Sequence, residues 1–264
     1  MLSVEDFRKF DSDSIERNSY MVSLDVNNLK IAGLTAFSSI DYPGKLSAVA
    51  FIQGCPWRCI YCHNPDMQSR EFSAEYQHSS WSELLNLLGR RKGLLDAVVF
   101  SGGEPTLDPH LELAITEVKA MGFLVGLHTS GCYPLHLERL LPLIDWVGLD
   151  VKASFFDEIA YREVTGLTKS EPGRLTRESL KLIQTRGVEY ECRTTAHPSF
   201  LPERKLLRLA KELQGQGVKH YALQIYRKPP HLHLSLDNVG YEYPSSDLIG
   251  TLKSMFDSFE LRRG

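Results

Sequence analysis

Three of the five cysteines lie close together in one short segment, at Cys55, Cys59 and Cys62. The spacing C-x3-C-x2-C allows three thiolates from a single loop to surround one soft metal centre. Cys192 lies inside a predicted strand and is expected to pack as a small hydrophobic residue. Cys132 follows the end of another predicted strand, and an inert role is expected for it as well. The segment from Cys55 to Cys62 is therefore predicted to be a metal site.

Three cysteines on a four-iron cluster would leave one iron open to a substrate or cofactor, whereas structural zinc sites and ferredoxin clusters use four protein ligands. The trio favours the open cluster, but three alternatives remain. A zinc ion would need His63 as fourth ligand, in a cramped position beside Cys62. The run from Cys59 to His63 also matches the C-x-x-C-H pattern of haem attachment, which requires export and leaves Cys55 unexplained. Three buried structural cysteines would be unusual in a loop flanked by Pro and Gly.

Polar residues, and in one case a pair of glycines, lie at the ends of the other predicted strands. These residues are Gly102, Gly103 and Glu104, then Thr129 and Ser130, then Asp150 and Lys152, then Arg193, and finally Gln224, Tyr226 and Arg227. Because the loops after parallel strands converge on one end of a barrel, we expect these side chains to share one site with the cysteines.

Short apolar segments alternate with helical patterns along most of the chain. The predicted strands are Ser47–Gln53, Ala97–Ser101, Phe123–Thr129, Trp146–Val151, Glu189–Thr194 and His220–Ile225. A capping box of Ser80 and Glu83 begins one of the helices between them, and a last helix is predicted to carry Leu248, Leu252, Met255, Phe256 and Phe259. This alternation predicts an α/β fold. Six strands are too few for a closed eight-stranded barrel, so we expect a partial (β/α)6 TIM-like barrel of parallel strands with outer helices. Residues 1–28 are expected to be a polar N-terminal extension and residues 29–264 one domain.

The composition is that of an ordinary globular protein. The 264 residues are 42% hydrophobic and 24% charged, with a formal net charge of −3, so no nucleic-acid or membrane partner is expected. No apolar stretch is long enough for a membrane helix, and the charged amino terminus does not resemble a signal peptide. We therefore expect a cytoplasmic protein, and in that reducing compartment clustered cysteines bind metals or act in catalysis more often than they form disulfides.

Two sequence motifs together resemble the radical S-adenosylmethionine (SAM) superfamily. They are the C-x3-C-x2-C run and the segment Gly102-Gly103-Glu104-Pro105. The wider run of residues 54–65, GCPWRCIYCHNP, is similar to the glycyl-radical-enzyme activases, and most similar to those that activate anaerobic ribonucleoside-triphosphate reductase. The resemblance covers roughly residues 30–260.

The resemblance implies a role for each candidate residue. Cys55, Cys59 and Cys62 would ligate a [4Fe–4S] cluster, and SAM would bind the fourth iron through its amino and carboxylate groups. Tyr61 would lie near the adenine, Gly102, Gly103 and Glu104 at the methionine amino end, and Thr129 and Ser130 at the ribose or carboxylate. Asp150 and Lys152 match an Asp-x-Lys element that lies close to SAM in related activases, and Arg193 would bind an acidic group of SAM or of the partner.

The resemblance also implies the reaction. One electron from a donor such as flavodoxin or ferredoxin would cleave SAM reductively to a 5′-deoxyadenosyl radical under anaerobic conditions. That radical would take a hydrogen atom from a glycine of a partner glycyl radical enzyme, expected to be anaerobic ribonucleotide reductase. The alternatives are a pyruvate formate-lyase-type activase, a small-molecule enzyme such as a 7-carboxy-7-deazaguanine synthase, and an iron–sulfur electron-transfer protein.

Two departures separate this sequence from pyruvate formate-lyase activases. Those enzymes have Asp-Thr-Asn-Gly after the third strand, whereas this chain has His128-Thr129-Ser130-Gly131, so a cation site that uses that Asp is not expected. They also carry a His after the sixth strand, and no His is found in the matching run from Gln224 to Arg227.

Overall fold

The computed structural model describes residues 24–75, 77–229 and 236–263. The strands are β1 (Ile31–Ser38), β2 (Ser47–Ile52), β3 (Ala97–Gly102), β4 (Leu124–Thr129), β5 (Trp146–Asp150), β6 (Glu189–Ala196), β7 (His220–Ile225) and β8 (Ser258–Arg263). The α-helices are α1 (Trp81–Arg90), α2 (Leu111–Ala120), α3 (Pro134–Leu140), α4 (Glu158–Thr165), α5 (Pro172–Arg186), α6 (Glu203–Gly215) and α7 (Ser246–Met255). Most of the predicted N-terminal extension, up to residue 23, lies outside the described residues. Among the residues described, no helix is both long and apolar enough to cross a membrane.

The strands form one sheet in the order of the chain, from β1 to β8. Among the strands of the described residues, β2 to β8 are parallel to one another, and the β1–β2 pair is antiparallel. The six predicted strands are β2 to β7, so the predicted partial barrel of parallel strands with outer helices is confirmed. The structure adds one strand at each edge, β1 and β8.

The predicted last helix is wrong at its carboxyl end. The helix α7 ends at Met255, Phe256 is extended, and Phe259 belongs to the edge strand β8. Both phenylalanine rings pack against Tyr221 of β7, with ring centroids 5.0 and 5.9 Å away. Phe256 and Phe259 are therefore apolar because both contact Tyr221, although their spacing in the sequence is also that of a helix.

The helix α1 begins as its sequence predicts. The Ser80 hydroxyl accepts from the Glu83 backbone N–H at 3.2 Å, and the Glu83 carboxylate accepts from the Ser80 N–H at 2.7 Å. This reciprocal pair satisfies two of the N–H groups that a helix leaves unbonded at its amino terminus. The apolar face of α1, including Trp81 and Leu84, is then buried against the sheet.

A small apolar cluster fills the interior of the barrel at the amino-terminal ends of the strands. It consists of Tyr42, Val49, Ala97, Val99 and Trp146, apart from the larger core that the helices cover. Tyr42 comes from the connection between β1 and β2, and its ring stacks on Trp146 with a centroid distance of 5.2 Å. Free space inside the barrel therefore lies toward the carboxyl ends of the strands.

Candidate functional site

The carboxyl ends of β2 to β6 surround a cavity of about 200 Å³. It is lined by Cys55, Trp57, Cys59, Tyr61, Cys62, His63, Asn64, Gln68, Ser101, Gly102, Gly103, His128, Thr129, Ser130, Asp150, Lys152, Arg193 and Thr195. Among the residues that the sequence analysis expected to share one site, four are not in this lining: Glu104, Gln224, Tyr226 and Arg227. The convergence of these side chains agrees with the sequence analysis, and their individual roles in binding stay predictions.

The cysteine loop, Cys55–Cys62, is held in place by backbone hydrogen bonds to the end of α4. The Arg58 N–H donates to the Thr165 carbonyl at 2.8 Å, and the Ile60 N–H donates to the Val164 carbonyl at 3.1 Å. All three thiols are free of disulfides and half-buried. The protein therefore presents three sulfur atoms from one fixed loop to a single cavity.

A second set of contacts, which the sequence analysis missed, fixes the chain on either side of this loop. Arg70 donates to the Gln53 carbonyl at 2.6 Å and to the Asp108 carboxylate at 2.5 Å. The Gln53 amide donates to the carbonyls of Asp66 and Ser69 at 2.9 and 2.8 Å. The only sequence signal was Gln53 itself, a polar residue at the end of an apolar strand.

The two glycines at the end of β3, Gly102 and Gly103, allow the ends of β2 and β3 to touch. Gly102 has a φ of 114°, and a Cβ there would lie 2.4 Å from the Ile52 nitrogen. A Cβ on Gly103 would lie 2.2 Å from the Gly54 oxygen. The Gly103 N–H donates to the Ile52 carbonyl at 2.9 Å, and the Glu104 N–H donates to the Gly54 carbonyl at 2.8 Å. The glycines are thus required by contact with the chain that leads into the cysteine loop, in addition to any ligand.

Glu104 lies behind the cavity wall with no exposed surface. Its carboxylate accepts from the Thr106 N–H and hydroxyl at 3.2 and 2.6 Å, and from the Thr129 hydroxyl at 2.7 Å. It also accepts from the Ser130 N–H and hydroxyl at 2.8 and 2.5 Å. The carboxylate accepts hydrogen bonds from five donors of the protein itself. These bonds hold the loop after β4 against the end of β3.

Asp150 lies between two cations on the inner face of the sheet. Its carboxylate accepts from Arg193 Nε at 3.0 Å and from Lys152 Nζ at 3.3 Å. Burial alone would raise the pKa of Asp150, but the charges of Arg193 and Lys152 outweigh burial and lower it to about 2. Arg193 reaches this position across Gly148, where a Cβ would lie 2.8 Å from the guanidinium carbon. One ionised carboxylate between two cations leaves the group with a net positive charge.

Lys152 carries that positive charge toward the cysteine loop. Its Nζ lies 5.9 Å from the centre of the Trp57 ring and 5.5 Å from that of Tyr61, within cation–π distance of both. The Tyr61 ring in turn stacks on Phe200 at 5.1 Å. Both aromatic residues of the cysteine loop are thus packed around the ammonium group.

The three thiols and the adjacent cation fit a metal centre that is held by thiolates. Burial raises the pKa of Cys55 to about 12, and it raises that of Cys59, where Lys152 acts in the opposite direction. Metal ligation must therefore displace protons from these thiols, and a nearby ammonium stabilises the resulting negative charge. Within the described residues, no group of three or more His, Cys, Asp or Glu side chains is arranged to hold a single metal ion.

Ser101 and His128 line the floor of the cavity and were not proposed from the sequence. The Ser101 hydroxyl lies 3.1 Å from His128 Nδ1, and His128 Nε2 lies 2.8 Å from the backbone oxygen of Asp41. Burial and then the charge of Arg193 lower the pKa of His128 to about 3, so the imidazole is neutral at physiological pH. The signal in the sequence was weak, since each is a single polar residue near the end of an apolar strand.

The half-buried imidazole of His128 predicts an acid-sensitive contribution to stability. Below pH about 6.5 the unfolded chain protonates His128 while the folded chain does not, so the free energy of unfolding falls by about 1.4 kcal/mol per pH unit until about pH 3. In His128→Gln, the decrease between pH 7.5 and pH 5 should be smaller by about 2 kcal/mol. Urea denaturation at the two pH values measures this, and His220→Gln, at an exposed histidine, controls for loss of one imidazole. Equal decreases in His128→Gln and the wild type would contradict the prediction.

Comparisons with known proteins agree with this arrangement of fold and site. A sequence profile of the radical SAM superfamily matches residues 49–198. The crystal structure of Streptococcus suis SuiB bound to SAM superimposes with a TM-score of 0.61 at 11% identity, covering 80% of this chain and 48% of that chain. That of QueE from Escherichia coli superimposes with a TM-score of 0.51 at 16% identity, covering 89% and 94%. The two superpositions show a shared fold, and by its sequence the chain belongs to the radical SAM superfamily, which uses a [4Fe–4S] cluster and SAM.

Sequence relatives narrow this class. A Methanocaldococcus jannaschii protein described as a glycyl-radical enzyme activating enzyme is 34% identical over 201 residues, which are 74% of this chain and 78% of the relative. The pyruvate formate-lyase-activating enzyme of Clostridium pasteurianum is 32% identical over 199 residues, 70% of this chain and 78% of that enzyme. Within the superfamily, the chain is thus a member of the glycyl-radical-enzyme activating enzymes, which catalyse radical generation.

Proposed function

We propose that this enzyme generates a glycyl radical on anaerobic ribonucleoside-triphosphate reductase. The proposal is carried by the cysteine loop, whose surrounding run of residues 54–65 most resembles activases of that reductase. The structure of the cavity floor supports it. At the position where pyruvate formate-lyase activases have an Asp, this chain has His128, and both ring nitrogens of His128 are engaged by the protein.

Some residues of this chain would bind the cluster, and others would position the groups around it. Cys55, Cys59 and Cys62 would hold the [4Fe–4S] cluster, which together with bound SAM supplies a 5′-deoxyadenosyl radical after one-electron reduction. Lys152, near both aromatic residues of the cysteine loop, would offset the negative charge of the ligated sulfur atoms. Glu104 would keep the loop after β4 in place.

The proposal also covers the electron donor, the cellular compartment and the domain bounds. The electron donor would be a flavodoxin or a ferredoxin, and the enzyme would work in the cytoplasm. Residues 29–264 would form the catalytic domain, with residues 1–28 as a polar extension.

A second candidate partner is pyruvate formate-lyase. The observation that favours it is the C. pasteurianum relative, together with a Staphylococcus aureus pyruvate formate-lyase-activating enzyme that is 36% identical over 129 residues, 44% of this chain and 50% of that enzyme. The two candidates differ only in the protein that acquires the radical.

Electron paramagnetic resonance can decide between the partners. The anaerobically reconstituted enzyme, dithionite and SAM would be incubated with each candidate glycyl radical enzyme, and a glycyl radical signal is expected with the reductase. As a control, replacing the radical-bearing glycine of the partner with alanine should remove the signal. A signal with pyruvate formate-lyase alone would transfer the assignment to the second candidate. Consumption of SAM that depends on a small molecule and needs no protein partner would overturn both.

A further inference from the structure

The hydrogen atoms of Ser101 and His128 have fixed positions because one acceptor determines them. The oxygen of Asp41 is a backbone carbonyl and can only accept, so His128 Nε2, 2.8 Å away, carries the ring hydrogen. Since the ring is neutral, Nδ1 has a lone pair and no hydrogen. The Ser101 hydroxyl, 3.1 Å from Nδ1, must therefore donate to it.

Because its hydrogen is used in the bond to His128, the Ser101 hydroxyl can only accept hydrogen bonds from a ligand in the cavity. The same holds for Ser130, whose hydroxyl donates to the buried Glu104 carboxylate at 2.5 Å. Two hydroxyls of the cavity wall are thus acceptors only. A wall of this kind stabilises a ligand that brings N–H or O–H donors and disfavours one that brings further acceptors.

We propose that His128 is a positioning residue that fixes the Ser101 hydroxyl as a hydrogen-bond acceptor for SAM. The donor would be the α-ammonium, a ribose hydroxyl or the adenine amino group, which are the N–H and O–H groups of SAM. This inference rests on the proposed function, because it assumes that SAM binds in this cavity.

The charged groups around His128 support a fixed hydrogen-bond pattern. Arg193 and Arg262 disfavour protonation of the ring electrostatically, whereas the Asp150 carboxylate favours it. Burial acts with the two arginines, so the ring stays neutral and the direction of the hydrogen bond from Ser101 does not reverse between pH 5 and pH 8. Affinity for SAM should then show no change in this range that depends on His128.

Equilibrium dialysis with the anaerobically reconstituted enzyme tests the proposal. Ser101→Ala should weaken SAM binding by about 10- to 100-fold, as expected for loss of one bond to a strong donor, whereas Ser101→Thr keeps the hydroxyl and most of the affinity. His128→Gln offers one acceptor and one donor, as the neutral ring does, and should bind SAM within about threefold of the wild type. His128→Leu frees the Ser101 hydrogen and should weaken binding as much as Ser101→Ala.

Two fragments of SAM identify the donor. Weaker binding of methionine to Ser101→Ala would assign the ammonium, and weaker binding of 5′-methylthioadenosine would assign a donor of the nucleoside, either a ribose hydroxyl or the adenine amino group. If Ser101→Ala or His128→Leu is folded by circular dichroism and binds SAM as the wild type does, the inference is wrong while the proposed function stands. If the wild-type enzyme itself binds no SAM, the proposed function fails together with the inference.

Discussion

Cys59→Ala is expected to lose the iron–sulfur cluster and to stop forming 5′-deoxyadenosine from SAM. Its sulfur is one of three that a single loop presents to the cavity, so the remaining two cannot hold a four-iron cluster firmly. Changes to groups that merely support metal ligands cost about 10- to 100-fold, and removal of a ligand should exceed the upper end of that range. Iron content, the visible absorption of the cluster and product formation with dithionite measure the loss.

The matched control for this experiment is Cys192→Ala. Cys192 is buried in β6 and packs in the hydrophobic core, so its loss should cost some stability while the cluster and the activity remain. Full cluster content and full activity in Cys59→Ala would disprove the assignment of the site, because a fourth ligand would then have to take its place.

Glu104→Ala is expected to lower the free energy of unfolding by about 3–5 kcal/mol, the largest effect on stability that we predict. The substitution removes the acceptor of five hydrogen bonds and leaves the N–H and hydroxyl groups of Thr106 and Ser130, with the hydroxyl of Thr129, unsatisfied in the interior. Urea denaturation of the protein without cluster measures it. Glu163→Ala, at an exposed position of α4, is the control and should stay within about 0.5 kcal/mol of the wild type.

This prediction also separates two roles for Glu104. From the sequence, it was expected at the amino end of SAM, which would affect ligand binding and leave the free protein intact. From the structure, its carboxylate is occupied by the protein itself. Unchanged stability of Glu104→Ala would contradict the structural role and leave the ligand-binding role as its explanation.

The central strands could be predicted because they are buried on both faces. Strands β2 to β5 are continuous apolar runs, which is the pattern of parallel strands between two layers. The edge strands could not be predicted in the same way. Strand β1 is mostly half-exposed and has irregular register, and β8 reads SFELRR with no fully buried residue.

Those parts of the site that lie within a short segment of sequence could be predicted. The cysteine spacing and the Gly-Gly-Glu run are local, so both were visible before the fold was known. The contacts that shape the cavity are not local: Ser101 and His128 are 27 residues apart, and His128 and Asp41 are 87 apart. Such pairs depend on strand register and on the path of a hairpin loop, which no single window of sequence contains.

The stacked rings of Tyr42 and Trp146 close the interior of the barrel at the amino-terminal ends of the strands. A molecule that enters through the mouth at the opposite end of the barrel cannot leave past these rings. A protein segment seated in that mouth would trap any smaller molecule behind it. We therefore expect obligatory order in the catalytic cycle: the nucleoside cofactor arrives before the polypeptide, and its fragments depart only after the polypeptide has withdrawn.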